Sequence, residues 1–290
     1  MRHIKQVGVY VNFEKKFALE SVKVASDLLL KRGFKVLVRD KDPINIDGVE
    51  KVSSDILREK ADLIITFGGD GTMLSAVHFL KGKTTPILGI NLGGLGFLTS
   101  TTKDEIDFAI DCITKEDFYV SARTMINVRV INGKEEKFNG VALNDVVLEH
   151  YGTSRIVNLL MQIDGQNITT YACDGIIIST PTGSTGHSLS AGGPVVHPEC
   201  PAFIISLICA HTLSVRPLVL SDSHKISIFI TKSHSNLLLS VDGQLTTQVA
   251  VGDSVEIVKS EYLANLVYMK GYSYFDVLRE KLHWRGSALV

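Results

Sequence analysis

The sequence predicts an α/β N-terminal domain with a parallel-type sheet, followed by a mostly antiparallel, β-rich C-terminal domain and a helix that returns to the first domain. Three observations carry this. Strand-like and helix-like segments alternate up to about residue 122; after residue 124 short β-rich runs take over, punctuated by Asn-Gly and Asp-Gly; and the chain ends on a helical pattern. The expected divisions are 1–122, carrying the first glycine loop, 123–268, β-rich and ligand-binding, and a C-terminal helical segment, 269–290.

In the first part, QVGVYV (6–11) reads as a strand. FALESVKVASDLLLKR (17–32) places Leu19, Val22, Leu28 and Leu29 near one helical face, with Gly33 as a stop. FKVLVR (34–39) reads as a second strand, 50–60 as a second helix, DLIIT (62–66) as a third strand and TMLSAVHFLK (72–81) as a helix. PILGIN (86–91) gives a further strand, the turn LGGLGF (92–97) follows, and a helix is expected near 103–114. Alternation of this kind builds a helix-covered, largely parallel sheet.

In the second part the expected strands are INVRVI, NDVVLE, IVNLLMQI, GIIIST, KISIFIT, NLLLSV, SVEIVK and NLVYM. Asn132-Gly133, Asp164-Gly165 and Asp242-Gly243 are hairpin signals, because both residue types tolerate positive φ. The tail YSYFDVLREKLHW (272–284) reads as a helix.

Composition narrows the function classes. With 290 residues, 45% hydrophobic and 21% charged, the chain has room for two domains and ordinary cores. A formal net charge of −1 and no long Lys/Arg cluster point away from nucleic acid and from a polybasic membrane surface. The longest apolar run, AFIISLICA (202–210), is too short to span a bilayer, and the N-terminus has no signal-peptide pattern, so a cytoplasmic protein without a membrane partner is expected. Cys112, Cys173, Cys200 and Cys209 are scattered and form no CxxC pair, and the histidines do not cluster at metal-ligand spacing.

The first motif is Gly68-Gly69-Asp70-Gly71-Thr72, between a strand and a helix. Glycines admit a phosphate close to the backbone, and the N–H groups of the following helix point at it, with Thr72 expected as the N-cap. Asp70 is an odd neighbour for phosphates unless it binds a metal or takes a proton. Two commoner phosphate loops are excluded: Gly82-Lys83-Thr84 lacks the upstream glycine, where Val77 stands, and GGLGFL lacks GxGxxG spacing. The second motif, DGIIISTPTGSTGHSLSAGGP (174–194), runs from a buried strand into a loop dense in hydroxyls and glycines, suited to a ribose or a diphosphate. It is not GxSxG, so a nucleophile elbow has no support. Asn144-Asp145 at a turn into a strand and Asp242-Gly243-Gln244 in a hairpin complete the set; each alone is a common turn.

Together these pieces resemble the bacterial-type NAD kinases of the ATP-NAD kinase family. The resemblance covers GGDGT, LGGLGFL, LND, DGIIISTPTGST, SLSAGGP, HTLSVRPLV (211–219), DGQ and YSYFDVLREKLHW. GGDGT alone is shared with diacylglycerol-type lipid kinases, which form one alternative; a non-catalytic NAD(P) sensor forms another. The resemblance implies transfer of the ATP γ-phosphoryl group to the 2′-hydroxyl of the adenosine ribose of NAD, giving NADP. It implies ATP as donor, Mg²⁺ or another divalent ion with ligands left unassigned, a cleft between the domains for NAD, and a homodimer or homotetramer.

Carried over by position, Asp70 would be the general base, with Gly68, Gly69, Gly71 and Thr72 at the nucleotide. Asn144 and Asp145 would hold the adenine and ribose region, and Asp174 would lie near the nicotinamide end. Thr185, Gly186, His187, Ser188, Leu189 and Ser190 would line the adenosine pocket. Gln244 would reach NAD from its hairpin, and Arg155 would be a further contact. The chain departs from the family pattern in three places, one of them a pair of residues: Asp145 replaces a Glu, Gly186-His187 replaces Ala-Tyr, and Ala172 stands where an Arg is frequent. They bear on affinity and pH dependence, not on the chemistry at Asp70.

Overall fold

A computed structural model describes residues 4–150, 156–211, 214–233 and 235–284. The chain forms two compact units, one built from residues 1–122 together with 265–290 and the other from residues 123–264.

The first unit begins with β1 (Gln6–Val11), α1 (Ala18–Lys31), β2 (Lys35–Arg39), β3 (Glu50–Val52) and α2 (Ser54–Lys60). It continues with β4 (Leu63–Gly68), α3 (Asp70–Leu80), β5 (Ile87–Asn91), the short β6 (Thr101–Thr102) and α4 (Ile106–Thr114). The strand order is β3-β2-β1-β4-β5, all parallel, and residues 266 and 267 pair in parallel with Ile87 and Leu88. β4 and β5 are buried along their whole length, as central parallel strands must be, which is why they read as unbroken apolar runs. Val9, Val22, Leu29, Ile65, Phe67, Ile90 and Ile110 are among the residues that close the core.

The second unit is mostly antiparallel. After β7 (Phe118–Asn132), whose first residues belong to the first unit, come β8 (Glu135–Ala142), β9 (Asp145–His150), β10 (Val157–Ile163), β11 (Gln166–Cys173) and β12 (Gly175–Ser179). A 3₁₀ turn (Thr182–Thr185) and the one-turn α5 (His187–Ser190) lead to β13 (Ala202–Ile208), β14 (Leu218–Ser221), β15 (Ile226–Lys232), β16 (Leu237–Val241) and β17 (Leu245–Val249). β18 (Ser254–Met269) carries the chain back to the first unit, where α6 (Tyr274–Lys281) is the last helix among the described residues.

One sheet of the second unit has the order β14-β13-β12-β9-β16-β17. The hairpin β10-β11 pairs with β15, which pairs with the first residues of β18. Side chains from both sets, including Ile176, Phe203 and Leu239 from one and Leu159, Ile228 and Val255 from the other, share a single core.

Asp164-Gly165 and Asp242-Gly243 have positive φ throughout, as their hairpins require. At Asn132-Gly133 the loop falls one residue later: Asn132 still pairs with Glu135, and Gly133 takes the positive φ.

Several segments differ from the sequence-based expectation. The expected helix over 50–60 opens as β3 and becomes helical only after Ser53, whose hydroxyl accepts the Ile56 N–H. The helix expected from Thr72 starts at Asp70, with Gly69 as its extended N-cap residue. Thr72 is therefore not the cap but a buried first-turn residue, its N–H donating to the Gly69 carbonyl. Glycine is about as good an N-cap as threonine, and the helix dipole favours an acid at the first helical position, so the earlier start costs little. SVEIVK and NLVYM are two parts of one strand, β18.

Candidate active site

The strand order places the reversal of direction between β1 and β4. In open parallel sheets ligands bind outside the carboxyl ends of the strands at such a point. β4 ends at Gly68, so Gly69-Asp70-Gly71 lies at that position and opens α3.

Asp70 is fixed by a loop distant in sequence. The N–H of Phe97 donates to its Oδ2 (2.9 Å) and the N–H of Leu98 to its Oδ1 (3.1 Å). That loop is braced in turn: the Thr99 hydroxyl accepts from Gly96 N–H (2.9 Å) and from Asn91 Nδ2 (3.2 Å), while Asn91 Oδ1 accepts from Gly93 N–H (2.9 Å). LGGLGFL therefore acts as a clamp on a carboxylate, a role its glycine content does not reveal.

The glycines of the first motif do different things. A Cβ on Gly68 would lie 2.6 Å from Thr72 Cβ, so packing demands glycine there. A Cβ on Gly71 would meet nothing within 4 Å among the described residues, and the residue is exposed. Glycine in a helix costs about 0.5–1 kcal/mol relative to alanine, and the space left by Gly71 supports close approach of a ligand.

In the second unit, Asn144, Asp145 and His187 line one cavity of about 350 Å³ together with Glu149, Ser240 and Asp242. Asn144 Oδ1 is buried without a hydrogen-bond partner among the described residues. An orphaned buried acceptor costs about 1–3 kcal/mol, which a ligand donor would recover. The Asp145 carboxyl is pushed up to about 7, first by burial and then by the charge of Asp242. The hydroxyl-rich loop approaches the same segment: Gly183 passes so close to Asn144 that a Cβ would stand 2.5 Å from its carbonyl carbon. Gly186 lies with its Cβ direction 3.7 Å from Asn144 Nδ2 and 3.8 Å from Asp145 Oδ2.

The other expected residues divide by accessibility. Thr185 and Leu189 are half-buried, and Ser190 and Gln244 are exposed. Ser188 is fully buried and its hydroxyl pairs with that of Ser206 (3.1 Å), which makes it a support of the loop. Asp174 sits between β11 and β12, with His211 Nε2 3.7 Å from its Oδ1. Arg155 lies outside the described residues. Among the described residues no group of three or more His, Cys, Asp or Glu side chains could hold a metal ion. None of their helices is long and apolar enough to cross a membrane.

Sequence reasoning missed Asp242, read there only as a turn former, and Glu149. The signal for Asp242 was its pairing with Gly243 directly before a residue already singled out, Gln244.

A glycine-bounded acid at the switch point of a parallel sheet, and an acidic cavity in a β-rich unit, define a nucleotide-handling protein of the phosphate-binding α/β class. Comparison with known proteins narrows this. The ATP-NAD kinase N-terminal domain matches residues 7–118 and the ATP-NAD kinase C-terminal domain matches residues 143–269. The NAD kinase of Geotalea daltonii is 38% identical over 97% of this chain and 99% of the relative. That of Carboxydothermus hydrogenoformans is 43% identical over 81% and 84%. Among solved structures, yeast NADH kinase complexed with NADH superimposes with a TM-score of 0.87 at 26% identity, covering 99% of this chain and 89% of that one. An NAD kinase from Archaeoglobus fulgidus in complex with ATP gives 0.76 at 25% identity, covering 97% and 100%. The chain belongs to the ATP-NAD kinase family, and the lipid-kinase alternative falls away.

Proposed function

We propose that the chain is an NAD kinase that transfers the γ-phosphoryl group of ATP to the 2′-hydroxyl of the adenosine ribose of NAD, giving NADP. Family membership supports the reaction, and one observation supports the residue: Asp70, at the first position of α3, is held by the N–H groups of Phe97 and Leu98. A ribose hydroxyl is a poor nucleophile. A carboxylate positioned to accept its proton contributes about 10²–10⁴-fold, and alignment of acceptor and donor supplies most of the rest.

Within this reading the open backbone at Gly69 and Gly71 admits phosphate, and Gly68 and Thr72 shape the turn. Asn144 and Asp145 take the polar edge of the dinucleotide, beside Thr185, Gly186, His187, Leu189 and Ser190. Asp174 and Gln244 are further contacts, and Ser188 holds the loop. A divalent ion such as Mg²⁺ would neutralise phosphate charge; with no three-residue donor cluster among the described residues, substrate phosphates and water would supply most of its ligands. A homodimer or homotetramer in the cytoplasm belongs to the same proposal. The exposed Leu218 and Val219 on edge strand β14 support an assembling surface, and sedimentation would measure its stoichiometry.

The deciding assay is NADP formation from NAD, ATP and Mg²⁺ by the wild type and by Asp70→Asn. The wild type turns over, and the variant loses about 10²–10⁴-fold in kcat while keeping its circular dichroism. Binding of NAD without turnover in the wild type would instead identify a sensor, and normal turnover by the variant would remove Asp70 from its role.

A further inference from the structure

The geometry points to Asp242 as a positioning residue for dinucleotide binding, one that fixes the backbone of Leu143, Asn144 and Asp145 from a hairpin about a hundred residues away. This rests on the NAD kinase reading above.

Asp242 occupies the first loop position between β16 and β17, with φ 51°, and is buried. Its Oδ2 accepts the Leu143 N–H (2.8 Å), and its Oδ1 accepts those of Asn144 (2.7 Å) and Asp145 (3.1 Å). Its own N–H donates to the Asp145 carbonyl (3.0 Å), closing the staple. Three convergent N–H groups require an acceptor-only side chain; an asparagine would turn an NH₂ toward one of them.

On its other side the segment is held by the Asn144 carbonyl, which accepts from Thr180 N–H (2.9 Å) and the Ser179 hydroxyl (3.1 Å). Thus gripped, Asn144 and Asp145 face the 350 Å³ cavity, with Asn144 Oδ1 left for an incoming donor. The charge of Asp242 also acts through space on the Asp145 carboxyl. The other titratable groups lining that cavity are Glu149 and His187.

The test is steady-state NADP formation by the wild type, Asp242→Asn, Asp242→Glu and Asp145→Asn across the pH range in which Asp145 titrates. Asp242→Asn should raise the KM for NAD about tenfold or more while the KM for ATP and kcat stay within about threefold. It should also move to lower pH the limb of the kcat/KM profile that Asp145→Asn abolishes. Asp242→Glu keeps the charge but displaces the oxygens, so it should raise the KM and leave the limb in place. An unchanged KM for NAD in Asp242→Asn, or equal rises for NAD and ATP, would overturn the inference. Amide hydrogen exchange on the wild type reads the staple without any variant or turnover. Slow exchange at Leu143, Asn144 and Asp145 upholds it, and loop-like rates refute it. A wild type that makes no NADP yet shows slow exchange would sink the kinase reading alone.

Discussion

Gly96 lies against the carboxylate of Asp70 so closely that a Cβ at residue 96 would stand 2.6 Å from Asp70 Cγ. The acid is thus located twice, by the N–H groups of Phe97 and Leu98 that hold it and by the glycine that leaves room for it. Pre-organisation of this kind is what a general base needs, since its oxygen must meet the proton in one geometry.

Gly96→Ala should therefore act like a partial deletion of Asp70. The methyl group drives the carboxylate from its place, and a displacement of about 1 Å can cost about 10²-fold in rate. A fall of about that size in kcat is expected, with the KM for NAD changed much less and the far-ultraviolet spectrum intact. Wild-type kcat would show that the clamp does not position the acid.

Gly71 makes the opposite case. Among the described residues nothing fills the space that a Cβ on it would occupy, and it lies in the first turn of α3. Gly71→Ala should leave stability unchanged or raise it by up to about 1 kcal/mol, while weakening nucleotide binding several-fold. Urea denaturation and the KM for ATP and NAD measure both. Lost stability with unchanged KM would show that the glycine serves the fold rather than a ligand.

These two glycines mark the limit of what the sequence discloses. GGDGT, the hydroxyl-rich loop, and the parallel and antiparallel halves are legible because local pattern fixes them: apolar runs for β4 and β5, Asp-Gly for the hairpins. What holds the site is not local. Phe97 reaches Asp70 across 27 positions, and Asp242 reaches Leu143 across 99. Polar hairpin partners such as β11, exposed along most of its length, carry no apolar alternation and so give no strand signal in the sequence. β3 is hidden in a segment whose sequence pattern is helical, because three residues at the edge of a sheet lack a periodicity of their own.

Asp145 should make the protein less stable as pH rises. Its folded-state pKa is about 7, raised by burial and by Asp242, against an ordinary value of 3.8. Below about pH 4 both states hold the proton and the contribution is full. Between the two values the unfolded chain releases a proton that the native state keeps, so stability falls until the native carboxyl ionises. At about 1.4 kcal/mol per unit the loss is on the order of 4 kcal/mol. Asp145→Asn should remove this component, so its stability relative to wild type should grow from pH 5 to pH 8 in urea unfolding. Parallel pH profiles for the two proteins would refute it.

Gly183 and Gly186 offer a matched pair in one loop. A Cβ on Gly183 would meet the Asn144 backbone, 2.5 Å from its carbonyl carbon and 2.6 Å from its Cα, and no rotamer can relieve a clash with main chain. A Cβ on Gly186 would meet the Gly183 carbonyl oxygen at 3.2 Å, a fit that a shift of a few tenths of an ångström absorbs. Gly183→Ala must then either unseat the loop or push Asn144 away from Thr180 and Ser179, the partners of its carbonyl. Overpacking costs about 1–3 kcal/mol, and the KM for NAD should rise more than kcat falls. Gly186→Ala should lose less than about 1 kcal/mol and change the KM for NAD only slightly. Thermal melts and NAD kinetics on both variants separate the two positions, and equal effects would show that close contact with Asn144 is not what keeps residue 183 a glycine.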